Sequence, residues 1–258
     1  MKNLHLPTAV LPNETVKSNV TLMIGLGWIA LVALFWATVQ VPMVPAPGPT
    51  LGEIVNQWNK GAFYQLLASL TISFEAILWA IGIGLGLAYL ATIPLFKPFV
   101  SALGKLRFLS LSGTVLVFVA SFSGHGLKVA VLTFTIVTFL LNDMLRVIDS
   151  IPQEKFDHAR TLGFNRWEVL REVVIRGTLH EAFDSLRMNA AIAWMMLTAV
   201  ETLSRSEGGV GVLLLALQKS FNLPAVFAVQ IMIFAVGIAQ DQIIKGAKAA
   251  FCPYTVRK

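Results

Sequence analysis

Apolar positions in this chain come in long blocks, without the polar stripe of a surface helix or the alternation of a half-buried strand. Such blocks cover residues 20–39, 62–93, 108–122, 127–145 and 223–244. Crossing the hydrocarbon core of a bilayer takes about 20 apolar residues of helix, and most of the blocks approach or exceed that length. A sixth block is shorter. Its uninterrupted part, 188–200, becomes a span only if the helix starts near Glu181, with Glu181, Asp184 and Arg187 at one membrane surface and Glu201 at the other. The pattern therefore predicts an all-α, polytopic membrane protein: about six transmembrane helices in one domain over 1–258.

The interruptions are as informative as the blocks. Residues 40–61 hold Pro42, Pro45, Pro47 and Pro49, a density that excludes helix interior, so this reads as a loop followed by a short surface helix over 51–58. The connection 94–107 is basic, and 121–126 (SFSGHG) is a tight turn in which His125 reads as solvated. Gly82, Gly84 and Gly86 lie inside the second block with no Lys-Ser/Thr after them. That rules out a phosphate loop and points to close helix packing. Val212 to Leu217 is too brief to span, and reads as an interfacial or re-entrant piece. Glu75 stands alone in its span, either snorkelling to the interface or facing an aqueous cavity.

Composition agrees. Of 258 residues, 56% are hydrophobic and only 13% charged, about half the charge of a soluble domain. The net charge of +6 would suggest nucleic acid in a soluble protein. In a membrane protein it reports Lys and Arg held in cytoplasmic loops. With six spans and an inside N-terminus, 16 of the 20 basic residues fall inside and four (Lys60, Lys128, Arg205, Lys219) outside. This bias predicts a cytoplasmic segment at 1–19, a cytoplasmic loop at 150–187 and a cytoplasmic tail at 245–258. The first apolar block is too long for the core of a signal peptide. The single cysteine, Cys252, and four scattered histidines give no metal-ligand spacing.

The loop 150–187 is the one long polar insert, and it is built to be rigid. Pro152 suits a helix start, 153–162 contains good helix formers, and Gly163 can take the left-handed conformation that ends a helix. Asn165 then caps a second helix, with Glu168 three residues on as in a capping box. Phe164 and Trp167 offer apolar knobs to a partner, and Arg160, Arg166, Arg171 and Glu172 offer charges that set register.

This insert resembles the "EAA" loop of the membrane subunit of type I ABC importers. The family pattern is Glu-Ala-Ala, three residues, Gly, nine residues, an aliphatic, one residue, then Leu-Pro. Asp157, His158 and Ala159 take the first three places and Gly163 the glycine. Val173, Ile175 and Arg176 take the last three, so the acid is shortened, the middle Ala is His and the final Pro is Arg. The Pro-rich stretch, Val200-Glu201 and Gly209-Val210-Gly211 are similar to features of nitrate, sulfonate and taurine permeases. The resemblance implies a permease subunit of the bacterial-type inner membrane that hydrolyses nothing itself. ATP and Mg would be bound by two partner ABC subunits, docked on Asp157, His158, Ala159, Arg160, Leu162, Gly163, Phe164 and Trp167. A second permease copy, identical or related, would complete the path, and an extracytoplasmic substrate-binding protein would deliver a small anion such as nitrate, bicarbonate or taurine. Polar or aromatic span residues Glu75, Ser121, Trp194, Thr198 and Glu201 are the path candidates, although two carboxylates suit an anion only if they are paired or off the path. The alternative is a stand-alone secondary transporter or channel using Glu75 or Glu201 as its ion site. An embedded enzyme has no nucleophile–base pair to offer.

Overall fold

The computed structural model describes residues 18–38, 43–204 and 208–253. The expectations for 1–17, Pro42, Arg205, Glu207 and the last residues of the basic tail fall outside them. The chain is a polytopic all-α membrane protein, and every regular element among the described residues is helical. Helix α1, Ser18–Thr38, is apolar all round, and none of its span is buried within the protein, as befits a helix in a hydrocarbon solvent. It is tied to the loop after it by the indole N–H of Trp36, donated to the Pro45 carbonyl at 3.0 Å.

Helix α2, Pro47–Asn59, starts four residues earlier than the sequence suggests, with Pro47 and Pro49 inside its first turn. The first turn is the one place where a missing N–H breaks no intrahelical bond, so proline density there excluded less than expected. Helix α3, Ala62–Leu90, carries a π-helical turn over Ile81–Leu85. Of its three spaced glycines only Gly84 makes the expected close approach: a β-carbon there would sit 3.0 Å from Leu140 Cδ2, whereas Gly82 and Gly86 face open space.

The third expected span is not one helix. Helix α4, Lys97–Gly104, continues as a 3₁₀ turn over Lys105–Phe108 and then breaks, because Leu109 and Ser110 are extended. Ser110 caps α5, Leu111–Val119, by accepting the Gly113 N–H at 3.3 Å. Nine residues of helix measure about 14 Å, less than half the hydrocarbon thickness. Among the described residues, four helices are long and apolar enough to cross alone, and five spans result if the bent pair is counted as one.

Helix α6, Gly124–Asp149, is the central post. It packs on α3 and α9 and buries Leu132, Ile136, Leu140, Leu141 and Met144. The polar loop comes next as α7, Gln153–Thr161, and α8, Arg166–Val169, which runs into a π turn over Leu170–Ile175. Helix α9, Leu179–Leu203, has the extent expected of the weak span, with Glu181, Asp184 and Arg187 in its first turns, but it is not among the helices apolar enough to cross alone, so the expected count of six is reached only if α9 crosses as well. Short α10, Val210–Lys219, and long α11, Leu223–Phe251, complete the bundle, α11 packing on α9 and α2. Lipid tails are as apolar as leucine, so register here depends on close packing and on polar ties between helices. Two such ties are Asn142 Nδ2 to the Gly104 carbonyl, 2.6 Å, and Trp194 Nε1 to Gln240 Oε1, 2.7 Å.

Candidate functional site

The polar loop folds as two short helices joined by a bonded turn. At the end of α7, Gly163 has φ +83°. The Phe164 N–H donates to the Ala159 carbonyl (3.2 Å) and the Gly163 N–H to the Arg160 carbonyl (3.0 Å), which together form a Schellman stop. Asn165 Oδ1 then accepts the Trp167 and Glu168 N–H groups, both at 2.9 Å, while Glu168 Oε2 accepts the Asn165 N–H at 2.8 Å. The capping box read from the sequence is present with both halves made. The short join between the two helices is thus held by hydrogen bonds on both sides, so the tip can transmit force as one body.

What the tip presents is mixed. Leu162, Phe164 and Trp167 expose 60%, 39% and 70% of their surface, and three large apolar side chains beside one turn form a knob that water does not favour. Asp157, His158 and Arg160 are exposed next to it, with Arg160 Nη1 donating to Asp157 Oδ1 at 3.0 Å. Ala159, by contrast, is buried, along with Val169 and Val174, so it holds the helices together instead of facing outward. Arg176, which stands in the place of the pattern's proline, donates from Nη1 to both carboxylate oxygens of Glu172 (2.9 and 2.8 Å). The Arg176 hydrogen bond, helped by Arg171, holds the Glu172 carboxyl below its usual range. Gly177 was not singled out from sequence, yet any β-carbon there would overlap the Val173 carbonyl.

The span candidates do not form one site. Glu201 is fully buried. Its Oε1 accepts Ser69 Oγ–H at 2.5 Å and its Oε2 accepts the Gly211 N–H at 2.7 Å. Ser69 Oγ in turn accepts the Val210 N–H (3.0 Å), and Gln65 Oε1 accepts the Gly209 N–H (2.6 Å). Buried Lys128 donates to the Gly208 carbonyl at 2.7 Å. The carboxylate thus fastens the start of α10 onto α9 and α3, and Gly209 and Gly211 leave it room, since a β-carbon at either would collide with Glu201.

Glu75 lies elsewhere, half exposed, its Oε2 2.7 Å from His125 Nε2. The histidine stands in the first turn of α6 instead of in the expected loop turn and is a partner of the intramembrane acid; Glu75 also lines an apolar cleft of about 480 Å³ between α3, α5 and α6. Ser121 is exposed in the turn after α5. Trp194 is buried, donating to Gln240, whose Nε2 donates to Ser73 Oγ at 3.1 Å. Thr198 Oγ1 donates to the Met195 carbonyl at 3.0 Å. Among the described residues, no group of acids, histidines and cysteines could hold a metal ion.

Residues 76–245 match the sequence model of the family described as binding-protein-dependent transport system inner membrane component. Over 209 residues, 75% of each chain, the protein is 23% identical to the taurine transport system permease protein of Escherichia coli. It is 29% identical over 103 residues to a Methanocaldococcus jannaschii protein provisionally named an ABC transporter permease; that match spans 40% of this chain and 39% of the relative's length. The fold is similar to a chain of the MetNI methionine ABC transporter in its inward-facing conformation, with a TM-score of 0.61 at 14% identity, covering 71% of this chain and 94% of that one.

Proposed function

Because the chain belongs to the binding-protein-dependent transport inner-membrane component family, matched over 76–245, and is thus an ABC importer permease subunit rather than an enzyme, we propose that it is driven through its 150–187 loop by two partner ATPases and carries a small anion. The observation that carries the coupling is the rigid helix pair with its exposed Leu162, Phe164 and Trp167 knob. An exposed apolar knob on a capped, inflexible hairpin has the properties a motor needs to push on. ATP and Mg belong to the motors, and a second permease copy and an extracytoplasmic binding protein complete the assembly. With the bent pair and α9 both crossing, the spans number six, and the 16-to-4 distribution of basic residues then supports a cytoplasmic loop and cytoplasmic termini.

The anion is supported by the likeness to the taurine permease and to the nitrate, sulfonate and bicarbonate branch at 200–211. The intramembrane acids do not oppose it. Glu201 is enclosed by hydrogen bonds and Glu75 sits beside His125, so neither presents an unaccompanied negative charge to a passing anion. The test is uptake of labelled taurine, nitrate and bicarbonate by right-side-out membrane vesicles holding the full assembly and its binding protein. The expected result is uptake of one of them that requires internal ATP and survives collapse of the proton gradient. Uptake that tracks the proton gradient and ignores ATP would favour the stand-alone carrier instead.

A further inference from the structure

A second groove of about 480 Å³ runs between α9 and α11, and its lining mixes charged and amide groups with apolar surface. On α9, Arg187, Ala191 and Trp194 succeed one another at helical spacing; on α11, Gln230, Phe234 and Asp241 do the same, and all six line the groove. Gln230 is exposed, seven residues into an apolar helix, where an amide facing lipid would be costly. At the inner end Arg187 Nε donates to Asp241 Oδ1 (2.8 Å) and Nη2 to Oδ2 (2.7 Å). This fork engages two of the five guanidinium donors, and both side chains remain about a third exposed to the groove.

We infer that Arg187 and Asp241 form an exchangeable anion subsite on the solute path, in which a small oxyanion replaces the Asp241 carboxylate on the guanidinium. The inference rests on the importer reading and names where that path binds its cargo. A carboxylate fork and a sulfonate or bicarbonate present the same pair of acceptor oxygens, so the exchange conserves hydrogen bonds. The displaced carboxylate has a second cation within reach: Lys245 lies four residues on along α11, the spacing at which helical side chains meet. Arg187 with the anion and Asp241 with Lys245 leave no charge unpaired. In the empty state the Arg187–Asp241 pair closes the groove's inner end between helices.

The probes are two thiol reagents of similar size, an anionic sulfonatoethyl and a cationic trimethylammonioethyl methanethiosulfonate. They are applied to native membrane vesicles carrying Cys252→Ser with Ala191→Cys, Ala191 being exposed one turn beyond Arg187. Labelling of this chain is read by mass spectrometry. The anionic reagent is expected to react faster by on the order of tenfold, the preference vanishing in Arg187→Gln and growing in Asp241→Asn. Arg187→Lys should keep part of it. No reaction with either charged reagent, while an uncharged one labels, would show the groove facing lipid and overturn the subsite. So would a preference indifferent to Arg187→Gln. Either result in vesicles whose chain still co-purifies with an ATPase removes the subsite alone; loss of the ATPase partner is what would remove the importer reading.

Discussion

Glu201 decides how the start of α10 is joined to α9 and α3. A carboxylate whose two oxygens take a hydroxyl and a backbone N–H from different elements is a fastener, and removing it strands both donors. Leaving a buried donor unsatisfied costs about 1–3 kcal/mol, and the void adds to it. Glu201→Ala should therefore lower the melting temperature of the detergent-purified protein markedly, and Glu201→Gln by much less, since the amide oxygen keeps one of the two bonds. Gly211 gives a sharper contrast. Gly211→Ala drives a methyl into the Thr198 carbonyl, whereas Gly246→Ala meets nothing within 4 Å and gains about 1 kcal/mol of helix propensity. The first should melt early and the second at or above the parent. The sequence singled out Glu201, Gly209 and Gly211 but not the bonds that join them. Glu201 looked like a path residue because an acid in a span usually is one, and its partner Ser69 is 132 positions away. Likewise His125 read as a solvated turn residue because nothing local points to Glu75.

At the scale of elements, legibility tracked the range of the forces. The loop's two helices and their join were readable because Gly163, Asn165 and Glu168 act within a few residues of themselves. The break in the third span was missed because hydropathy sees Leu109 as another apolar position; the cue was Ser110, a helix-capping residue directly before Leu111. The early start of α2 was missed for the opposite reason, by treating prolines as breakers where a first turn accepts them. The loop yields two predictions. Gly163→Val, at φ +83°, should cost roughly 1–2 kcal/mol and Asn165→Ala about 1 kcal/mol. Both should weaken binding of the ATPase without reducing the bulk helix content read by circular dichroism. Glu172 has its carboxyl pKa held below the usual range by Arg176. A group whose pKa is depressed on folding stabilises the fold above its unfolded pKa and loses that contribution as pH falls through the folded one. Loop protection in hydrogen exchange should thus decline at acid pH, and Glu172→Gln should remove that part of the decline.

Across the whole molecule, one post, α6, holds α3 and α9, while α9 and α11 descend from the Glu201 fastener to the Arg187–Asp241 fork and the loop joins α6 to α9. The loop is therefore covalently continuous with a wall of the proposed path: a displacement of α7 and α8 moves the first turns of α9, where Arg187 stands. The apolar helices of the bundle were legible from hydropathy, whereas the α9–α11 groove was not, because its walls come from two helices that only the fold brings together.

The most direct measurement is affinity purification of this chain from its native membranes in mild detergent, with quantification of what accompanies it. A co-purifying ATPase subunit at one copy per permease chain, lost in Gly163→Asp and reduced at least about tenfold in affinity by Trp167→Ala, as expected for a buried aromatic anchor, is the predicted result. The chain emerging alone from several detergents, or an ATPase whose binding ignores both substitutions, would contradict the assignment of the loop as the motor's docking site.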